Sequence, residues 1–145
     1  TDGTHITNPN RKTMGRALDL ALSCAELSPD KIGYVNAHGT ATIQGDIAET
    51  VATEEVFKRK VPISSTKSYT GHTLGACGAI EAILSIEMMN KGWFHPTLNL
   101  TEVDTECGKL DYIQEQGREI KTDYVMSNNF AFGGINTSLI FKKFV

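Results

Sequence analysis

Apolar residues in the first third of the chain recur at intervals of three and four. Met14, Ala17, Leu18, Ala21, Leu22 and Ala25 share one face of a predicted helix that Ser28-Pro29-Asp30 ends, and Cys24 belongs to the same stripe. Ile32-Gly33-Tyr34-Val35-Asn36-Ala37 is a short apolar run of the kind that forms a buried strand, and it leads straight into the polar segment His38-Gly39-Thr40-Ala41-Thr42. From Asp46 to Phe57, the residues Ile47, Val51 and Val56 interleave with Glu49, Glu54 and Glu55, which predicts a second helix whose acidic start suits the helix dipole. The unit then repeats. A strand is expected at Val61 to Ser65, a polar segment at Thr66 to His72, and a helix through Ile80, Ile83, Leu84, Ile86 and Met88. Gly92 and Pro96 mark an irregular stretch, Tyr112-Ile113 a short strand, and Tyr124 to Ser127 and Thr137 to Phe141 two strands around Asn128 to Gly134. Alternation of this kind predicts an α/β domain, a mixed sheet layered with helices. Ligands of open α/β sheets collect beyond the carboxyl ends of the strands, where all three polar segments are expected, so the segments should face one pocket.

Composition narrows the function classes. At 145 residues and 40% apolar, the chain holds enough for a single core. Fourteen basic against seventeen acidic residues give a net charge of -3, which argues against nucleic acid as a partner. Apolar runs such as Ala82-Ile83-Leu84 are cut short by Ser85 and Glu87, so no stretch reaches the roughly 20 residues that span a bilayer. Cys24, Cys77 and Cys107 form no CxxC pair, an odd count that fits a reducing compartment, and a cytoplasmic location is expected. Thr1-Asp2-Gly3-Thr4-His5 has neither an initiator Met nor a signal-peptide pattern, as expected for part of a longer polypeptide.

His38, Lys67 and His72 are the side chains suited to moving protons or holding charge near neutral pH, and at strand ends they could polarise a carbonyl substrate. Taken singly, each is as readily a packed or surface residue. His38, Asp46 and His72 are respectable metal-ligand types, but no ligand spacing accompanies them and no metal is expected. Gly71 to Gly78 lacks both the Gly-Lys-Ser/Thr ending and the GxGxxG of nucleotide loops. Ser64-Ser65-Thr66-Lys67 matches the S-x-x-K of serine acyl enzymes, yet it falls at a strand end rather than on a helix and neither S-D-N nor K-T-G follows. Cys77 precedes a helix, where the dipole favours a thiolate, but a small packed residue is the simpler reading. Cys24 and Cys107 read as structural.

Three blocks together carry a family resemblance. Asn36-Ala37-His38-Gly39-Thr40-Ala41-Thr42 with Gly45-Asp46-Ile47-Ala48-Glu49, then Ser65-Thr66-Lys67-Ser68-Tyr69-Thr70-Gly71-His72-Thr73-Leu74-Gly75-Ala76, then Ser127-Asn128-Asn129-Phe130-Ala131-Phe132-Gly133-Gly134-Ile135-Asn136 strongly resemble the β-ketoacyl-acyl carrier protein synthases, in order and approximate spacing. Two histidines point to the elongating class. The resemblance implies a thiolase-like fold, of which this chain looks like the carboxyl-terminal half. It also implies a decarboxylative Claisen condensation between an acyl chain on a Cys nucleophile and a malonyl-carrier-protein thioester.

By that resemblance His38 and His72 would hydrogen-bond the malonyl thioester carbonyl as it becomes an enolate. Lys67 would balance the charge of the site through Glu81. Thr40 and Thr42 would bind the phosphopantetheine arm, and Phe132, with Phe130 alongside, would gate the pocket on the Gly133-Gly134 turn. No segment matches the family's nucleophile elbow, so the fragment alone is expected to be inactive. Its partners would be the amino-terminal half of the same synthase, a second copy of the full enzyme in a homodimer, and acyl carrier protein, with Lys58-Arg59-Lys60 or Lys142-Lys143 as docking contributors. No cofactor is implied beyond the carrier's own phosphopantetheine. A second function class is a partner subunit of the chain-length-factor kind, for which the two histidines and the lysine would be unnecessary. The host pathway, fatty-acid or polyketide and polyene, is open at this point.

Overall fold

The computed structural model describes residues 9–144; the opening Thr1 to His5 segment lies outside them. Helix α1 (Arg11–Cys24) starts where the Asn10 side chain accepts the Lys12 N–H at 3.0 Å. Strand β1 (Tyr34–Asn36) leads to α2 (Ile43–Phe57), which Lys58 ends in the left-handed region at φ 52. Strand β2 (Pro62–Ser64) is followed by the single turn α3 (Lys67–Thr70) and by α4 (Cys77–Lys91), ended by Gly92 at φ 69. Five strands complete the chain: β3 (Trp93–Phe94), β4 (Asp111–Tyr112), β5 (Arg118–Glu119), β6 (Tyr124–Ala131) and β7 (Ile135–Lys142).

The main sheet runs β4-β2-β1-β6-β7, with β1 parallel to β2 and β6, β2 parallel to β4, and β7 antiparallel to β6. Strands β3 and β5 form a separate antiparallel pair. Alternation along the strands divides the core in two. Val35 and Met126, paired in register, face the α1 and α2 layer with Leu18, Leu22, Ala52 and Phe57. Their neighbours Tyr34 and Val125 face the α4 layer with Met88, Met89, Phe94 and Ile113. The expected layered α/β domain is therefore present, and the carboxyl ends of β1, β2 and β6 lie side by side. Among the described residues no helix is long and apolar enough to cross a membrane.

Several local expectations need correction. Cys24 is exposed rather than part of the buried stripe, since Met14, Leu18 and Leu22 make the buried contact and the helix ends at that residue. Helix α2 begins three residues before Asp46, with Ile43 turned to solvent. The polar segment after β2 contains a helical turn, and β6 continues through Asn128 and Asn129 to Ala131 instead of yielding to a loop at Asn128. Pairing explains the longer strand: Asn128 and Asn129 lie in register with Ser138 and Thr137 of β7, which satisfies their backbone groups while Asn128 is fully buried.

Ile83 on α4 is 62% exposed, and Ile135 and Leu139 on β7 are also exposed. Strand alternation puts Leu139 on the same sheet face as Val125 and Phe141, which is the face that α4 covers only in part.

Candidate active site

His38 and Gly39 form the turn at the end of β1. Both backbone N–H groups donate to the carboxylate of Glu49 on α2, each at 2.8 Å. Gly39 sits at φ 39, and a Cβ there would come within 2.7 Å of the Ser65 side chain, so the turn accepts only glycine without rearrangement. Ser65 closes the same contact by donating its hydroxyl to the Gly39 carbonyl at 3.0 Å. Burial pushes the Glu49 carboxyl up to about 7, with the two backbone donors opposing the shift.

The His38 ring meets the His72 ring edge-on, centroids 5.4 Å apart and planes at 89°. Burial, then the nearby Lys67 charge, then His72, press the His38 imidazole down to about 3. It is therefore neutral at physiological pH. His72 follows Gly71, and its Nδ1 accepts the Leu74 N–H at 3.1 Å. With Nδ1 occupied as an acceptor, the proton of a neutral His72 resides on Nε2, leaving an N–H donor for a ligand. Phe130, buried at the end of β6, lays its ring 6.2 Å from that of His38. Phe132 stands beside it, 66% exposed, at the start of a 3-10 turn in which Gly133 and Gly134 both have φ 70.

Lys67 opens α3 and makes a buried ion pair with Glu81 of α4. The second carboxylate oxygen of Glu81 accepts from Asn129 Nδ2 at 2.9 Å, and Asn129 Oδ1 accepts from Cys77 Sγ at 3.1 Å. The expected pairing of Lys67 with Glu81 is thus made. Cys77 is a buried donor within this network. Thr40 and Thr42 share a hydroxyl hydrogen bond at 3.1 Å in front of α2. They border a cleft of about 640 Å³ together with His72, Lys67, Asp46, Leu98 and Cys107. Burial raises the Asp46 carboxyl in its floor.

The structure removes the serine acyl-enzyme reading. Ser64 is buried, its hydroxyl is shared between Tyr34 at 2.8 Å and the His95 carbonyl at 2.8 Å, and the lysine of the motif turns to Glu81 instead. Arg59 is not free for docking either, since Nη2 donates to the carbonyls of Pro29, at 3.2 Å, and Ile32. Sequence reasoning missed three polar contributors: Glu49, Asn129 and His95. Glu49 carried a signal, an acidic residue four positions before Thr53 on the buried face of α2, which is unusual unless the acid is paired. Asn129 stood in the third motif block but with no sign of its partner, and His95 carried no signal, because nothing in the chain order connects them to Glu81 or to Thr66.

Comparisons with known proteins place the chain in a family and a fold. Residues 1–101 match the family model described as Beta-ketoacyl synthase, C-terminal domain. The 3-oxoacyl-[acyl-carrier-protein] synthase 2 of Synechocystis is 41% identical over 99% of the chain, and the chloroplastic synthase I of Hordeum vulgare 37% identical over 99%. The chain covers 35% and 32% of those two proteins, so it spans about a third of their length. Among solved structures, a β-ketoacyl synthase from Burkholderia phymatum superposes with a TM-score of 0.98 at 60% identity, covering 100% of this chain and 36% of that one. The ishigamide ketosynthase/chain length factor superposes at 0.95 with 33% identity, covering 99% and 36%. The fold is the thiolase-like α/β fold that the three sequence blocks imply, and the chain belongs to the β-ketoacyl synthases, whose carboxyl-terminal domain it carries.

Proposed function

We propose that this chain is the carboxyl-terminal half of a 3-oxoacyl-acyl carrier protein synthase and supplies the machinery of its decarboxylating half-reaction. The observation that carries the reading is the edge-on His38 and His72 pair, one ring held neutral by burial and the other oriented by the Leu74 N–H, beside the buried Lys67 and Glu81 pair. Neutral imidazoles with a free N–H are suited to an oxygen that gains charge during reaction, since they add no charge of their own to the site.

In this mechanism the malonyl thioester carbonyl accepts hydrogen bonds from His38 and His72. The bond from the α-carbon to the carboxylate breaks, carbon dioxide leaves, and its electron pair moves through the α-carbon to the thioester oxygen, giving an enolate that the two donors stabilise. The enolate carbon then attacks the carbonyl of an acyl-cysteine thioester. A carbon–carbon bond forms and the cysteine thiolate leaves, giving a 3-oxoacyl product longer by two carbons. Burial keeps His38 neutral, and the Lys67 charge adds to that effect. Thr40 and Thr42 line the cleft that takes the phosphopantetheine arm, and Phe130 and Phe132 bound the acyl side.

The reacting cysteine is not among Cys24, Cys77 and Cys107. Cys24 is exposed on the outer helix α1, Cys77 is committed to Asn129, and Cys107 borders the cleft with its thiol pushed up by burial, away from the thiolate a nucleophile needs. It comes from an amino-terminal half that packs on the exposed Ile83, Ile135 and Leu139 face, and the assembled enzyme acts as a homodimer on acyl carrier protein substrates. Polyketide ketosynthases with bound carrier protein or chain-length factor are among the similar structures, so a non-catalytic partner subunit is the competing reading.

Mass spectrometry of the polypeptide encoded by the full open reading frame, incubated with an acyl-carrier-protein thioester and then the malonyl thioester, tests this. Acylation of a cysteine upstream of Thr1, followed by a 3-oxoacyl product that disappears in H38A and H72A, is expected. Absence of any adduct identifies the partner-subunit reading, and an adduct on Ser64 sinks the mechanism.

A further inference from the structure

A third histidine, His95, lies outside the cleft and contacts Thr66, the residue before Lys67. His95 follows β3, and its Nδ1 is 2.8 Å from the Pro96 carbonyl, an oxygen that only accepts. Nδ1 therefore bears the proton, and Nε2 presents a lone pair. That lone pair faces Thr66 Oγ1 at 3.0 Å, so the threonine hydroxyl donates to it. Thr66 Oγ1 in turn accepts from Asn36 Nδ2 at 2.7 Å, and the other Asn36 amide hydrogen goes to Ser85 Oγ at 3.2 Å. Each donor in this run has a distinct acceptor and the direction is single: Ser85 and Thr66 accept from Asn36, and His95 accepts from Thr66. Asn36 and Thr66 are completely or almost completely buried.

Asn36 stands two residues before His38, and Thr66 immediately before Lys67. The imidazole of His95 is thus the terminal acceptor of a chain that ties the β1 end to the β2 end. Its carbonyl fastens the same place from beneath, accepting the Ser64 hydroxyl at 2.8 Å. Burial holds the ring in its neutral form, as an acceptor must be, and Tyr69 covers it with ring centroids 5.0 Å apart. Asn36, Thr66, Ser85 and His95 do not line the cleft, whereas Ser64 does.

We propose that His95 is a positioning residue: by accepting the Thr66 hydroxyl it fixes the spacing between the strand ends that present His38 and Lys67 to the malonyl thioester. The inference rests on the condensing function proposed above. It makes the acceptor at Nε2, rather than the volume of the ring, the feature that matters.

The test uses the full-length synthase in its condensation assay, with acyl loading of the cysteine measured separately. In His95→Phe, which keeps a ring and removes the acceptor, kcat should fall by about tenfold to a hundredfold, the range expected of small misplacements of catalytic groups. KM for the malonyl thioester and the extent of acyl loading should stay within about twofold of wild type. His95→Gln, whose Oε1 reaches the Nε2 position, should recover most of the lost kcat. Thr66→Val removes at constant shape both the proton donated to His95 and the acceptor used by Asn36, and the double variant T66V/H95F should be no slower than T66V, since the bond lost in H95F is already broken in T66V. The proposal is overturned by wild-type kcat in H95F, by H95Q as slow as H95F, or by losses that multiply in the double variant. Should H95F fail to fold, full kcat in T66V overturns it by itself. A wild-type protein that never condenses refutes the underlying function and this inference with it, an outcome distinct from the other four.

Discussion

Glu81→Gln isolates the charge of the buried ion pair with almost no change of shape. The carboxylate serves two donors with two oxygens, Lys67 Nζ on one and Asn129 Nδ2 on the other. A glutamine has one oxygen and one NH2, so whichever way it turns, one of those donors faces another donor. With Glu81 1% and Lys67 7% exposed, water cannot substitute. An unmatched buried polar group costs about 1–3 kcal/mol, and a buried charge stripped of its counter-charge about 3–5 kcal/mol in all. The second figure includes the first, so the expected loss is at least about 3 kcal/mol. Urea unfolding of the full-length protein, followed at equilibrium, should show this as a lower midpoint at unchanged slope. The companion variant K67M/E81L removes both charges and should regain much of the loss, because well-packed apolar replacements of a buried pair are often neutral. A loss below about 1 kcal/mol in E81Q, or a double variant no more stable than E81Q, refutes the argument that the pair is dry and mutually dependent.

Two further predictions concern the His38 turn. His38 has its folded pKa depressed from the ordinary 6.5 to about 3, so it binds its proton more readily in the unfolded chain. The stability it contributes is complete above 6.5 and is lost as pH falls towards 3. Glu49 has its folded pKa raised from 4.5 to about 7, so its contribution is complete below 4.5 and is lost as pH rises through 7. Between 4.5 and 6.5 the two slopes oppose and nearly cancel, so these two groups leave the wild-type midpoint close to flat; replacing His38 with Asn leaves the Glu49 slope alone, the midpoint should then rise on acidification, and parallel pH profiles for the two proteins would contradict the assigned shifts. Gly39→Ala places a methyl 2.7 Å from Ser65 in a turn at φ 39, which should lower stability by about 1–3 kcal/mol and abolish condensation; a fully active, equally stable G39A would mean the turn is not held as described.

How much of this was legible depended on whether a residue's signal was local. Leu18 and Leu22 announced α1 because the helical period shows in neighbouring positions, and Tyr34-Val35 announced β1 because an unbroken apolar pair is what a strand covered on both faces requires. Ile43 gave no sign of being helical, since it points into solvent and belongs to no stripe. Asn128 and Asn129 looked like loop residues because their strand is made by pairing with β7, a fact written eight to ten residues later. The site divides in the same way. His38, Lys67 and His72 were found in two of the three polar segments at strand ends, and the Glu81 partner by resemblance. Glu49, Asn129 and His95 act across layers of the fold; the helical spacing of Glu49 marked it as buried without naming its partners, and no spacing along the chain encodes the partners of the other two.

The strand order also sets when the site can exist. β1 is completed by β6, whose Val125 pairs with Tyr34 some ninety residues earlier in the chain, and β7 must then close over β6. A ribosome releasing this sequence exposes His38 and Lys67 well before the strand that locks their neighbours together has been synthesised. Until then β1 presents an open parallel edge, the arrangement most exposed to mispairing and the slowest to resolve. The juxtaposition of His38, His72 and Lys67 is therefore among the last features the nascent polypeptide acquires, and chaperone dependence should concentrate in that interval.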